Sequence, residues 1–537
     1  MISLTPTRID NNTISSDLFG GNILATRDKI GENGTYDEVA DKLGVETIRY
    51  PGGSLTEQSF DISNPDKGTS FTGDYFLKYS DFMEYAEASS KSVTIVLPTK
   101  NYLSENSDNN GDRFSEIDED TLRQFICDTL DGQYGRPEIR AFELGNEYWG
   151  SGEMSSVEYG RVASEMALII RDEVNSHPNY NTEYFNLDII VQMGNNYGEA
   201  RLNPFYDGSS PDVLSQLSED YNFSFTPDYL FSNGTVNWTK VANQLIINQF
   251  NEDEIDSIDG IVAHVYSKGT DTSRTFDLSS VEQTWHQQID GLTTYVTEWN
   301  QSSKSGKFIR DEDYGLKQDH EMLETFEELV AYDVEIAHVW PLQQNTKTDL
   351  SGDEGSENLT VGGAMFQMMS NNLVGMRVLD LNPDSQTELE SENFEVHSFY
   401  DDNSLLFYIY STSKTDIQER LDFSNLISGY ENVVVNILGV REGDTSTSPT
   451  ARPVMRDESL ELVEENELLI NLQPYEVMQV KIVNPEYSDL MNSIPYLDEE
   501  NEYVFFDDVN EKDNDDFMVE ILSGIGLSFL IGLMVFL

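Results

Sequence analysis

From about residue 18 to residue 375, apolar strand-like runs alternate with helical stretches, and the alternation repeats eight times. The predicted strands are Phe19–Leu24, Thr47–Tyr50, Ser92–Pro98, Ile139–Asn146, Leu187–Met193, Gly260–Tyr266, Leu292–Glu298 and Val334–Pro341. Several are continuously apolar, as strands covered on both faces by helices must be. The predicted helices include Thr35–Leu43, Tyr79–Ser89, Asp118–Leu130, Ser155–Val174, Val241–Phe250, Tyr314–Tyr332 and Gly363–Leu373. Eight such units in one run favour closure into a (β/α)8 TIM barrel over an open sheet, which makes residues 1–375 an α/β barrel domain. The stretch Asn195–Trp238 reads as an irregular insertion on a barrel loop.

After about residue 376 the period changes from helical to alternating. Short strands are predicted at Arg377–Leu381, Phe394–Tyr400, Ser404–Ser411, Asn432–Leu438, Glu467–Leu472 and Glu476–Val483, with turn residues such as Asp401-Asp402-Asn403 between them. Residues 376–485 therefore read as a C-terminal antiparallel β-sandwich, to which Ser3–Ile9 adds a strand. Residues 486–516 read as an acidic linker, since Glu486–Asp516 holds Lys512 as its one basic residue. Residues 517–537 form an apolar tail, and Ile521–Leu537 carries no charge. Its length is at the short limit for a membrane span, and no Lys or Arg follows it. A tail anchor or export signal is one reading and a core helix or last strand the other; the acidic run before it favours the tail. The N-terminus has no basic segment followed by an apolar run, so no Sec signal peptide is expected. An extracellular or cell-surface location is expected from the tail.

The chain has 98 acidic and 32 basic residues, a net charge of −66. Nucleic acid is excluded as a partner, because phosphate binding needs clustered Lys and Arg. The charge suits a heavily solvated surface, either for a saline setting or for solubility alone. Cys127 is the single cysteine, so no internal disulfide forms. The six histidines show no recognised metal spacing, and neither a metal nor a cofactor is called for. Asp108–Glu119 resembles a calcium loop, but Arg113 stands where its glycine belongs, so it reads as a polar barrel loop.

Two segments carry chemistry. Phe142-Glu-Leu-Gly-Asn-Glu147-Tyr-Trp-Gly150 ends the fourth predicted strand, and Tyr295-Val-Thr-Glu298-Trp-Asn300 ends the seventh. Each puts a carboxylate at the C-terminal mouth, where barrel enzymes build their sites. Two facing carboxylates can cleave a glycosidic bond, one as nucleophile and one as proton donor and then base.

These segments resemble the glycoside hydrolases of clan A. Ile48-Arg-Tyr-Pro-Gly-Gly53 resembles the α-L-arabinofuranosidase, heparanase-like and β-xylosidase branches. Gly145–Gly150, Leu18-Phe-Gly-Gly-Asn22 and Leu472-Gln-Pro-Tyr-Glu-Val477 lean toward the arabinofuranosidase branch. The resemblance implies a retaining glycosidase acting on a plant or algal carbohydrate. It implies Glu147 as acid/base, Glu298 as nucleophile, Asn146 as a partner of the sugar 2-hydroxyl and Arg49 as the cation that keeps Glu298 ionised. His264 and Tyr266 would border the nucleophile. Trp340 would be a sugar platform, with Trp149 and Trp299 as further platforms, although loop packing explains Trp149 equally well. The alternative is a non-catalytic carbohydrate-binding or surface protein on the same fold.

Overall fold

The computed structural model describes residues 2–495, apart from 304–307, 309–311, 345, 353–357, 382–388, 392 and 459–465. Eight strands close into a barrel: β1 (Gly20–Asn22), β2 (Thr47–Tyr50), β3 (Ser92–Leu97), β4 (Ile139–Leu144), β5 (Asp188–Gln192), β6 (Gly260–Ser267), β7 (Thr293–Gln301) and β8 (Val334–Val339). Each pairs in parallel with the next, and β8 pairs with β1. A parallel neighbour needs a crossover, and a helix supplies it after every strand, as in Tyr36–Leu43 after β1 and Leu316–Ala331 after β7. The helix after β6, Asp271–Val281, was not predicted. Its Thr- and Ser-rich sequence hides the apolar stripe.

The barrel interior is packed. Ala141, Ile190, Val262, Tyr295 and Ile336, from β4 to β8, form one buried cluster across it. The segment Asn195–Trp238 is not irregular throughout, as predicted. It contains the helix Ser210–Asp220, held by a capping box at Ser209. Val213, Leu217, Phe225 and Tyr229 pack there with Val157, Val241 and Leu245 as a small core of their own. The predicted polar loop Asp108–Glu119 contributes to a short hairpin, Leu103–Ser107 with Arg113–Ser115, and Arg113 and Asp108 are drawn to Glu158 and Arg161.

Among the described residues, the C-terminal module has two main sheets and one two-stranded ribbon. The larger runs Arg8–Ile9, Arg377–Asp380, Phe394–Asp401, Ser404–Ser411, Val477–Val483, Asn432–Val440 and Pro453–Glu458, with Leu389–Glu390 on Phe394–Asp401. The smaller joins Ile2–Ser3, Ile417–Asp422 and Glu467–Leu472. Residues 2–9 thus belong to these sheets rather than to the barrel. Along Ser404–Ser411, Leu405, Phe407 and Ile409 enter the sandwich interior, while Leu406, Tyr408 and Tyr410 join the barrel's core cluster. This period-two alternation buries both faces of the sheet and fixes the module on the barrel.

The sandwich runs past the predicted boundary at 485. Glu486–Tyr487 pairs with Ile427–Gly429, and Met491 is buried in the sandwich interior. The rest of the predicted linker and the predicted tail, residues 496–537, lie outside the described residues. Among the described residues, no helix is long and apolar enough to cross a membrane.

Candidate active site

The mouth of the barrel is organised around Arg49, the penultimate residue of β2, which is fully buried. Its guanidinium spends five donors on four partners. Nε and Nη2 grip Glu143 at 2.7 and 2.8 Å. Nη1 reaches Asn22 Oδ1 at 3.1 Å and Glu298 Oε1 at 2.9 Å, and Nη2 reaches Asn146 Oδ1 at 2.7 Å. Planar fork geometry suits Arg to this, since one rigid group orients three strand ends at once. The carboxylates raise the Arg49 pKa further, outweighing burial.

Glu143 was missed in the sequence reading. An acid inside an apolar strand looks like an error until the strand closes. Glu143 then faces inward, buried, and also accepts from Gln192 Nε2 at 2.7 Å and Thr297 Oγ1 at 3.2 Å. Glu57 was also missed. Its buried carboxylate accepts from the backbone N–H groups of Thr99, Lys100 and Asn146, which tethers the loop carrying Asn146 and Glu147.

Glu147 follows β4 through Gly145 (φ 76°) and itself sits at φ 42°, left-handed for a residue with a side chain. Such a conformation costs on the order of 1–3 kcal/mol and persists where the surroundings over-determine it. The tethers from Glu57 and the Arg49–Asn146 contact do so here. The Glu147 carboxyl is buried, and its Oε1 lies 3.3 Å from His264 Nδ1. Burial raises its pKa, the His264 contact lowers it, and the charge of Glu298 raises it again.

Glu298 faces the same space because of a bulge. The β6–β7 register shifts so that Ala263 opposes Val296 and His264 opposes Glu298, with Thr297 as the extra residue. Thr297 and Glu298 then both face inward. Thr297 reaches Glu143, while Glu298 receives Arg49 on Oε1 and the Tyr266 hydroxyl, 2.7 Å away, on Oε2. One carboxylate oxygen of Glu147, one of Glu298 and one nitrogen of His264 lie within 4.8 Å of one another. His264 Nε2 lies 3.2 Å from Thr297 Oγ1. That hydroxyl donates to Glu143, so it accepts from His264 Nε2–H, and His264 Nδ1 shares a proton with Glu147. Burial lowers the His264 pKa but the two carboxylates outweigh it, and the pKa is raised.

Asn146 has its oxygen committed to Arg49, and its buried Nδ2 has no partner among the described residues. Trp340, half-buried at the end of β8, lays its ring over Gly53; a Cβ at Gly53 would stand 2.7 Å from Trp340 Cη2. The same bulge that turns Glu298 inward turns Trp299 outward. Trp299 is fully buried against Phe326 and Phe366 of the barrel helices, so it cannot be the sugar platform expected of it. Trp149 is also buried, edge-on to Tyr148, and packs its loop rather than offering an open face. A cleft of about 390 Å³, lined by Glu57, Phe60, Phe71, Asn101 and Tyr102, adjoins the Glu57 side of the site.

No family model and no curated protein matches the sequence. Solved structures do match. The structure of the GH51 α-L-arabinofuranosidase from Thermotoga petrophila RKU-1 aligns over 89% of this chain and 99% of its own, at 13% identity and a TM-score of 0.56. The α-L-arabinofuranosidase of Thermotoga maritima, in an arabinose complex, aligns over 90% and 99% at 13% identity and a TM-score of 0.54. CelM2, a bifunctional glucanase–xylanase from a metagenome library, aligns over 90% and 98% at 13% identity and a TM-score of 0.52. The chain thus shares the fold of these enzymes over about nine-tenths of its length.

Proposed function

We propose that the protein is a retaining glycoside hydrolase with Glu298 as nucleophile and Glu147 as acid/base. The observation that carries the reading is the approach of the two buried carboxylates, with one oxygen of each within 4.8 Å of the other. So close a nearest approach suits direct attack, whereas an inverting pair holds its carboxyl groups roughly 6.5–9.5 Å apart to admit a water. Glu298 attacks the anomeric carbon as Glu147 protonates the departing oxygen, and a glycosyl ester forms. Arg49 and Tyr266 hold the attacking carboxylate in place. The unpartnered Asn146 amide is the donor for a sugar hydroxyl, and Trp340 is the platform. Once Glu298 is an ester its charge is gone, so a cause of the raised Glu147 pKa is removed. Glu147 can then act as base on the water that frees the sugar. The fold shared with arabinofuranosidases makes an α-L-arabinofuranoside of plant or algal origin the first substrate to test. The shared fold of a glucanase–xylanase keeps β-glucosides and β-xylosides in the panel. We place the reaction outside the cell, with residues 517–537 as anchor or export signal; fractionation of cells carrying the full chain and a deletion of that tail checks this.

The test is a panel of aryl glycosides. Glu298→Gln should abolish turnover of every substrate. Glu147→Ala should keep the first step on good leaving groups, lose it on poor ones, and regain turnover with added azide, which needs no general base. Equal loss on both leaving groups without azide rescue would remove Glu147 from this role. Sugar binding by a wild type that hydrolyses nothing would favour the non-catalytic alternative.

A further inference from the structure

A second constellation of ligand-type side chains shares no residue with the mouth and lies in the joint between barrel and sandwich. The helix Leu316–Ala331 presents His320 and Glu324 one turn apart, and so on one face. The strand Phe394–Asp401 presents Glu395 and His397 two residues apart, also on one face. Phe399 of that face joins the barrel core, while Phe394 and Val396 of the other enter the sandwich. The helix pair and the strand pair therefore confront each other. One ligand atom from each of the four residues lies within 4.8 Å of the other three.

The contacts around the four residues orient them toward one another. His320 Nε2 lies 2.8 Å from Glu324 Oε1 and also contacts Glu395 Oε2. Its ring stacks on Tyr410 at 4.0 Å and 6°, which fixes the imidazole plane. His397 is fully buried, and its Nδ1 lies 2.9 Å from Oε2 of the buried Glu327, one turn further along the same helix. A ring that donates Nδ1–H to a carboxylate presents Nε2 as its lone-pair nitrogen, the arrangement that orients histidine ligands in metal centres. Charge points the same way. Glu324, Glu327 and Glu395 bring three carboxylates, met within the joint by His320, whose pKa burial lowers but Glu324 and Glu395 raise to about 10. The cation beside Glu324, Arg274, is shared with Asp271 and Glu321. A divalent ion, taking the place of the His320 proton, would offset the carboxylates.

We propose that His320, Glu324, Glu395 and His397 bind a divalent transition-metal ion, zinc by ligand type, which pins the barrel helix to the sandwich strand. Two imidazoles and two carboxylates form a closed tetrahedral set, as in structural rather than catalytic zinc sites. Tetrahedral donors at zinc stand about 3.3 Å apart, so the His320–Glu324 contact and the closer His320–Glu395 contact both open on binding. The ligands come in pairs from two elements far apart in the chain, which is why no linear spacing reveals them.

The full chain is stripped with EDTA and then exposed to Zn²⁺ in molar NaCl and excess Mg²⁺, which occupy the acidic surface. Retained metal is counted by mass spectrometry, and Co²⁺ replaces Zn²⁺ as a spectroscopic probe. One Zn²⁺ per chain is expected in the wild type and in Glu298→Gln. So are the visible bands of four-coordinate Co²⁺ and a melting temperature lowered by EDTA. All of these should be lost in His397→Gln. Equal retention by wild type and His397→Gln would overturn the proposal. So would loss in Glu298→Gln, which would move the metal to Glu147, His264 and Glu298 at the mouth. If His397→Gln does not fold, zinc-edge X-ray absorption of the wild type decides. Two imidazole ligands support the joint, because the mouth offers only His264; fewer than two, or no zinc retained, overturns it.

Discussion

Arg49 and Glu143 form an ion pair that no solvent screens, and what surrounds Arg49 decides how strongly it holds Glu298. Deleting one partner of such a pair costs on the order of 3–5 kcal/mol, because the other charge is left buried and uncompensated. Glu143→Ala should therefore lose stability on that scale in chemical denaturation. Glu143→Gln keeps the shape, so its stability loss should be smaller. Its kcat should fall, because Arg49 is then neutralised by Glu298 alone and draws charge from the attacking oxygen. Wild-type stability in Glu143→Ala would mean that the guanidinium does not depend on this carboxylate. His264 offers a second test. Burial and Glu298 raise the Glu147 pKa, and the imidazole opposes them. Replacing His264 by Gln removes the opposing cation, so Glu147 keeps its proton to higher pH. The alkaline limb of kcat/KM, measured with a poor leaving group, should move upward. A downward shift would argue that the limb belongs to another group.

At the scale of elements, the barrel strands were legible because each is an apolar run with a turn on either side, and all eight lie where the sequence predicts them. Other elements were hidden for physical reasons. Ile417–Asp422 exposes alternate residues and Pro453–Glu458 fully buries none, so little apolar period survives. Within the site, Glu147 and Glu298 stood out as acids at strand ends. The inward turn of Glu298 and the outward turn of Trp299 both depend on a one-residue bulge, and a bulge is set by pairing with a neighbouring strand rather than by local sequence. Glu143 and Glu57 were unreadable because their partners lie far off in the chain, on other strands for Glu143 and in the loops after β3 and β4 for Glu57. The joint of the two modules was only half visible. The alternation in Ser404–Ser411 showed a strand, but not that its second face completes the barrel's core with Leu406, Tyr408 and Tyr410. A chain ending at residue 376 exposes that part of the barrel core to water and should be insoluble. Recovery of a soluble, active barrel from that truncation would show that the sandwich is dispensable.

For the molecule as a whole, charge sets the condition under which the fold persists. A net −66 leaves far more acids than the basic residues can pair. The pairing that exists is already dense: Arg123 alone faces Glu119, Asp172 and Glu173, and Arg140 faces Asp17 and Glu335. Local ion pairs therefore cannot absorb the remaining repulsion, and only the solvent can. The Debye length falls from about 10 Å at 0.1 M to about 3 Å at 1 M salt, below the usual spacing of surface carboxylates. Repulsion across the compact state should fade over that range, while exposed ion pairs, worth about 0–1 kcal/mol each, lose little in absolute terms. Buried pairs such as Arg49–Glu143 are shielded from salt altogether. The net effect is stabilisation, so the melting temperature should rise from low salt to molar NaCl. Screening depends on ionic strength alone, so NaCl and KCl should give the same curve, and the rise should level off once the Debye length is a few ångströms. A rise that continues without limit and is steeper in sulfate would mark exclusion of salt from the surface as the cause. A flat or falling curve in both chlorides would show that repulsion is not what limits this fold.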